Sequence, residues 1–194
     1  MARRKPPVVH GVVVLDKPAG LTSHDAVNIL RRHFGVKRIG HAGTLDPDAT
    51  GLLVIGVGNA TRLFRFMEDM DKTYSCEIVF GSETHTLDDS GDVTATYDMT
   101  LPPVEAIREV IAQKFLGDIM QVPPMVSAIK VDGKRLHELA REGIEIERLA
   151  RPVRIDSFDV ELTDDPLVLR ATVRCGGGTY IRSLCADLGT ALGG

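Results

Sequence analysis

No run of about 18 apolar residues occurs anywhere in the chain, so no transmembrane helix is expected. The first seven residues, Met1-Ala2-Arg3-Arg4-Lys5-Pro6-Pro7, are basic, but the apolar core of a secretory signal does not follow them. Cysteine is scarce. Cys76, Cys175 and Cys185 are odd in number and widely spaced, which argues against a disulfide framework and a cysteine metal site and points to a cytoplasmic protein. Internal repeats and low-complexity segments are missing too. So is net positive charge: 23 Lys and Arg against 27 Asp and Glu leave −4 at pH 7, which argues against a protein that coats nucleic acid indiscriminately. One absence is local. Between Asp25 and Asp46 there is no acidic residue, while Arg31, Arg32, Lys37 and Arg38 cluster there. Acid gathers instead at Glu68, Asp69 and Asp71 and at Asp88, Asp89 and Asp92. The chain has a basic patch without being basic.

What is present suffices for one large domain or two small ones: 194 residues, 43% of them hydrophobic, can bury a substantial core. Residues 39–54 stand out. A basic segment leads into Ile39-Gly40-His41-Ala42-Gly43-Thr44-Leu45-Asp46-Pro47-Asp48-Ala49-Thr50-Gly51, and the apolar Leu52-Leu53-Val54 leads out. Pro47 fixes its own φ and pushes Asp46 toward extended or turn geometry. Gly43 and Gly51 let the backbone bend or approach something closely. Taken alone, this is either a polar turn between strands or the seat of a reactive carboxylate. His41, five residues before Asp46, and the basic run before it favour the second.

The remaining punctuation sets the elements. Val8 to Leu15 reads as a strand ending in the turn Asp16-Lys17-Pro18-Ala19-Gly20. Thr22 or Ser23 caps a helix with Asp25 at its positive end, Val27, Leu30 and Phe34 inward, and Gly35 at its close. A strand Leu52–Val57 precedes a helix from about Ala60 to Met70. Gly56-Val57-Gly58 is no dinucleotide fingerprint, because Thr61 stands where the third glycine belongs. Thr73–Phe80 alternates as a strand with Tyr74, Cys76, Ile78 and Phe80 on one face, and a polar loop, Gly81–Gly91, follows. Pro103–Phe115 is an amphipathic helix with Val104, Ile107, Ile111 and Phe115 inward, and Lys134–Arg141 is another helix. Val153–Glu161 and Leu167–Val173 pair as a hairpin. Gly176-Gly177-Gly178 lacks the Lys-Ser/Thr of a P-loop and reads as a sharp turn into a helix, Tyr180–Leu192.

Gly40-His41-Ala42-Gly43-Thr44-Leu45-Asp46-Pro47 with Ala49-Thr50-Gly51 resembles the catalytic motif of the pseudouridine synthases, in detail that of the TruB family. Other matches follow in order. They are Leu15-Asp16-Lys17-Pro18 with Gly20, Lys72-Thr73-Tyr74, Thr84-His85-Thr86-Leu87-Asp88, and Gly178-Thr179-Tyr180-Ile181-Arg182. The section from Gln121, with Gly133-Lys134-Arg135-Leu136 and Ala140-Arg141-Glu142-Gly143-Ile144, resembles the family's thumb insertion, about residues 119–152 of a single catalytic domain, 1–194. The resemblance implies an α/β (α+β) fold, a mixed, largely antiparallel sheet flanked by helices. It implies isomerisation of uridine-55 in the T-loop of tRNA, by a monomer without guide RNA or membrane. In that reading Asp46 is the nucleophile, Arg182 its ion-pair partner, and Tyr74 stacks on the target base. His41 fills the space the flipped-out uridine leaves, and Lys17, Asp88 and Tyr180 belong to the substrate site. Lys130, Lys134 and Arg135 hold RNA from the thumb. Lys17 is otherwise a solvated loop-tip lysine, Tyr74 a sheet tyrosine, and Asp88 either an arginine's partner or an exposed turn residue.

The chemistry wants these residue types. Breaking a C–N glycosidic bond calls for a carboxylate that is ionised at neutral pH, and a carboxylate removed from water needs a permanent cation such as Arg182. The reaction is redox-neutral, so no metal and no cofactor is expected. One departure is Asp48, where the family often has a bulky apolar residue; it adds a second negative charge near Asp46. A guide-RNA-dependent synthase would share Asp46, Tyr74 and Arg182 but lack the thumb. A non-catalytic RNA-binding or folding chaperone would have lost Asp46 or Arg182, and a glycosidase would need two carboxylates across the sugar bond. The family's chain continues beyond Gly194 into a further catalytic segment and a small RNA-binding domain, so an exposed apolar strip near Leu188 and Leu192 is expected.

Overall fold

The computed structural model describes residues 9–67, 70–127, 129–131, 134–136, 140, 143–144 and 146–194. The chain forms two compact units, Met1–Met70 and Asp71–Gly194. Every described strand pairing is antiparallel. Among the described residues no helix is long and apolar enough to cross a membrane.

In the first unit β1 (Gly11–Lys17), β2 (Ile39–Ala42) and β3 (Gly51–Val57) form a sheet in the order β1-β3-β2. Leu15 faces Leu53, Val13 faces Ile55 and Ile39 faces Val57 across the rungs. The same side of the sheet takes helix α1 (Ser23–Phe34), so Ala26 and Val27 close over Leu53, Ile55 and Val57 in one buried cluster. Thr22 caps α1 with a full capping box: its hydroxyl accepts from the Asp25 N–H, while the Asp25 carboxylate accepts from the Thr22 N–H. Gly35, at φ 62°, closes it in the left-handed region.

The sequence-predicted helix from about Ala60 is instead a 3-10 helix, Gly58–Phe66. Its Phe64 ring lies over Gly40 and Gly56, paired neighbours on β2 and β3. A Cβ on Gly56 would sit 2.9 Å from that ring and 3.0 Å from the Thr61 nitrogen. Gly56 therefore serves packing, which accounts for a glycine pair without a phosphate. The first strand runs to Lys17, two residues past its predicted end, because Asp16 and Lys17 still pair with Leu52 and Gly51.

The second unit is built on a four-stranded sheet in the order β4-β11-β10-β7, from β4 (Lys72–Val79), β7 (Gly117–Gln121), β10 (Arg151–Leu162) and β11 (Val168–Cys175). The predicted hairpin is β10–β11, with Phe158 opposite Val173 and Val160 opposite Ala171. The alternation read in β4 is observed: Tyr74, Cys76, Ile78 and Phe80 belong to the core side, together with helix α2 (Val104–Lys114) and helix α3 (Ile181–Leu192). Ile107, Ile111, Leu184 and Leu188 seal that layer. Leu188 is fully buried and Leu192 half-buried against the same cluster, which corrects the expected exposed strip: α3 uses its whole apolar stripe on this unit's own sheet.

Two small hairpins complete the unit, β5 (Ser82–Thr84) with β6 (Val93–Thr96), and β8 (Lys130–Val131) with β9 (Lys134–Arg135). The helix predicted over Lys134–Arg141 thus begins as a strand, since Lys134 and Arg135 pair back on Val131 and Lys130; most of its remainder lies outside the described residues. Residues 122–150 leave the sheet at Gln121 and return at Arg151, which is Gln121's partner across the rung.

Candidate active site

In the first unit the loop bearing Asp46 is held on both sides of the carboxylate. Ser23, 2% exposed, donates from its hydroxyl to the Leu45 carbonyl (3.1 Å) and accepts from the Leu45 N–H (2.9 Å). On the other side, the Pro47 carbonyl accepts from the Lys17 ammonium at 2.9 Å and from the Gly20 N–H at 3.0 Å. Lys17 is fully buried, and its ammonium also donates to Leu21 (2.7 Å) and Pro18 (2.9 Å) carbonyls. Three donors meet three acceptors, the condition under which an ammonium tolerates burial. Burial lowers the Lys17 pKa, opposed by the nearby carboxylates of Asp48 and then Asp46. Of the two readings open in sequence, a solvated loop tip and a member of the substrate site, the first is excluded: Lys17 is a buried strut of the Asp46 loop, because β1 continues two residues further and carries it inward.

Gly43 (φ 99°) and Gly51 (φ 109°) bracket this loop in the left-handed region, the freedom their positions suggested. His41, on β2, is half-buried and donates from Nδ1 to the Gly43 carbonyl, so it braces the approach to Asp46. Asp46 is itself half-buried. Ser23 is a support of the Asp46 loop that its sequence context did not reveal. Thr22 and Ser23 competed for the capping role there; Thr22 holds it, which leaves Ser23 free to grip Leu45.

In the second unit Arg182 is the second residue of α3. Its guanidinium donates to the carbonyls of Thr86 (2.6 Å) and Val126 (3.0 Å) and lies 3.4 Å from an Asp88 carboxylate oxygen. Asp88 is the arginine's partner, one of the two roles open to it in sequence. Its Oδ1 accepts from the hydroxyls of Ser90 (2.5 Å) and Thr86 (2.7 Å) and from the Ser90 N–H (3.1 Å). Burial works to raise the Asp88 carboxyl, but those hydrogen bonds with the Arg182 charge hold it below its ordinary value. Between Thr86 and Asp88 the backbone turns through Leu87 at φ 60°, a left-handed non-glycine residue, and such strain is stored at functional sites. Tyr74 is half-buried on the core side of β4. Tyr180 stands immediately before α3, its backbone bonded to the Gln121 side chain. The side chains of Lys130, Lys134 and Arg135 lie outside the described residues. Among the described residues no group of three or more His, Cys, Asp or Glu is placed to hold a metal ion.

The two units carry different groups. The first presents a carboxylate on a doubly pinned loop; the second presents a guanidinium locked against a carboxylate and two carbonyls, beside a tyrosine.

A family model described as "TruB family pseudouridylate synthase (N terminal domain)" matches residues 31–181. Over 186 residues the chain is 50% identical to the tRNA pseudouridine synthase B of Corynebacterium aurimucosum, covering 94% of this chain and 62% of that protein. It is 49% identical over 185 residues to the protein of the same name in Mycobacterium ulcerans, covering 94% and 61%. The chain spans about three-fifths of the length of these curated relatives. Among solved structures, a Cbf5-Nop10-Gar1 complex matches with a TM-score of 0.66 and 31% identity, over 94% of this chain and 44% of that one. An H/ACA RNP bound to a substrate RNA containing 2'-deoxyuridine matches with a TM-score of 0.65 and 27% identity, over 94% and 43%.

Proposed function

The chain belongs to the TruB family of pseudouridylate synthases, and on that premise we propose that it isomerises uridine-55 in the T-loop of tRNA to pseudouridine, without a guide RNA. The observation that carries this reading is the Asp46 loop, a family-motif carboxylate whose two neighbours, Leu45 and Pro47, are each fixed by a buried side chain. A nucleophile held this way loses little freedom on reaching the transition state.

In the proposed mechanism the target uridine leaves the RNA stack, at a cost of a few kcal/mol. His41 fills the gap. Tyr74 offers its ring to the extruded base, an interaction worth roughly 1–3 kcal/mol. The Asp46 carboxylate then acts as nucleophile while the N1–C1′ bond breaks; the base turns, C5 bonds to C1′ as the carboxylate is released, and the proton lost from C5 is balanced by one gained at N1. Arg182 is the cation proposed to pair with the Asp46 carboxylate once water is excluded; its guanidinium is held by Asp88 and the Thr86 and Val126 carbonyls. The segment 119–152 acts as a thumb whose Lys130, Lys134 and Arg135 meet RNA phosphates. The substrate is tRNA, which places the protein in the cytoplasm.

Incubation of the chain with an unmodified tRNA transcript, no guide RNA added, tests this directly by mass spectrometry of the product. Pseudouridine at a single T-loop uridine is the expected result. Asp46→Asn should reduce its formation by at least about 10³-fold while tRNA affinity changes less than about threefold, since shape is kept and the nucleophile lost. Product from the wild-type chain only when a guide RNA is supplied would favour the guided relatives' mode instead.

A further inference from the structure

Gln121, the last residue of β7, is 2% exposed, and its amide is wholly engaged with one distant residue. Its Nε2 donates to the Tyr180 carbonyl at 3.0 Å, and its Oε1 accepts from the Tyr180 N–H at 2.8 Å. Tyr180 is the N-cap of α3, and no side chain caps that helix in the usual way. Tyrosine is a poor N-cap residue, since it has no short oxygen to reach the first-turn amides. The glutamine instead clamps the backbone of the N-cap residue itself. The Tyr180 carbonyl also accepts the first helical bond, from the Leu184 N–H at 3.1 Å, so the clamp bears on the helix start.

The chain after Gln121 repeats the grip. The Ser183 hydroxyl donates to the Val122 carbonyl at 3.1 Å, and the Arg182 guanidinium donates to the Val126 carbonyl at 3.0 Å. Residues 121–126 thus hold residues 180, 182 and 183. The Gln121 contact alone takes both its partners from one residue's backbone.

We infer that Gln121 is a positioning residue for the reaction: it fixes the start of α3, and through it the reach of Arg182 and the presentation of Tyr180. The inference rests on the proposed pseudouridine synthesis for its consequence, though the clamp does not. A glutamine suits the task because one amide supplies a donor and an acceptor in a plane, matching both backbone groups of Tyr180. With its backbone held from Gln121, position 180 starts the helix without a capping side chain and is open to an aromatic residue.

The test replaces Gln121 by Met, similar in volume but unable to make either bond, and by Glu. For Gln121→Met, measured per folded molecule, kcat should fall roughly ten- to a hundredfold, the scale of an ångström of misplacement, while KM for tRNA changes less than about threefold. Gln121→Glu as a buried carboxylate only accepts, but once protonated it again offers one donor and one acceptor. Its activity relative to wild type should rise as the pH is lowered. Wild-type kcat in the Met variant overturns the inference. So does a loss of kcat that merely tracks the folded fraction, with no recovery of the Glu variant at low pH. Hydrogen exchange of the amides of 181–184 provides a readout independent of catalysis. Should the wild-type chain form no pseudouridine, the functional reading fails; faster exchange in the Met variant would still support the clamp, and unchanged exchange would overturn it.

Discussion

At the scale of single residues, Asp88 shows how the sequence's alternatives were resolved. Its carboxyl is held below its ordinary value of 3.8 because hydrogen bonds from Ser90 and Thr86, with the Arg182 charge, outweigh the cost of burial. The folded state therefore keeps the carboxylate where the unfolded chain takes up a proton. Stability from this group is complete above pH 3.8 and is lost as the pH falls through the lower, folded value. Asp88→Asn should cost about 1–3 kcal/mol at pH 7, the range for hydrogen bonds to a charged group. Urea unfolding of wild type and variant should show that gap closing below pH 3.8; a gap constant with pH would mean that charge is irrelevant here. Lys17 teaches the opposite lesson. Its partners are main-chain carbonyls, at Pro18, Leu21 and Pro47, and a carbonyl exists at every position of every sequence. Nothing in the residue types around Lys17 distinguishes a buried strut from a solvated lysine. The turn around Asp46 was readable because Pro47 restricts the backbone locally, while Gly43 and Gly51 permit the positive φ that the loop uses.

At the scale of elements, caps and alternation were readable, and crossings were not. Thr22, Asp25 and Gly35 carry local rules and bound α1 as expected. The 3-10 helix escaped because its form follows from contact: Phe64 must reach down between the strands to Gly40 and Gly56. Gly56→Ala should therefore cost about 1–3 kcal/mol, its methyl being forced against the ring at 2.9 Å. In a Phe64→Ala background the same change should cost distinctly less, and a double-mutant cycle by urea unfolding measures the difference. Strict additivity would place the strain elsewhere. The β8–β9 hairpin was missed for a related reason. Lys134 and Arg135 are good helix formers, yet they pair with Val131 and Lys130 as antiparallel strands. Gln121 left no signal: a polar residue closing a strand is ordinary until the helix it clamps, 59 positions on, is in view.

At the scale of the whole molecule, charge distribution matters more than its sum. With a net charge of −4 the protein should nonetheless bind tRNA with a steep salt dependence, since each phosphate contact adds roughly 0.7–0.9 to the log–log slope. Replacing Lys130, Lys134 and Arg135 together by Ala should flatten the slope by about two, measured by filter binding across salt; an unchanged slope would remove the thumb from the phosphate contacts. The division of the chain into Met1–Met70 and Asp71–Gly194 bears on synthesis as well. The first unit's holds on the Asp46 loop close over short stretches, 22 positions from Ser23 to Leu45 and 30 from Lys17 to Pro47. The second unit cannot close its sheet early, because β4 at its start pairs with β11, Lys72 lying opposite Cys175. At about 5–20 residues per second on the ribosome, the carboxylate loop can be fully assembled roughly ten seconds before the helix bearing Arg182 has emerged. The Asp46 carboxylate is thus in place early, as part of a nascent chain that has yet to make the arginine proposed to act with it.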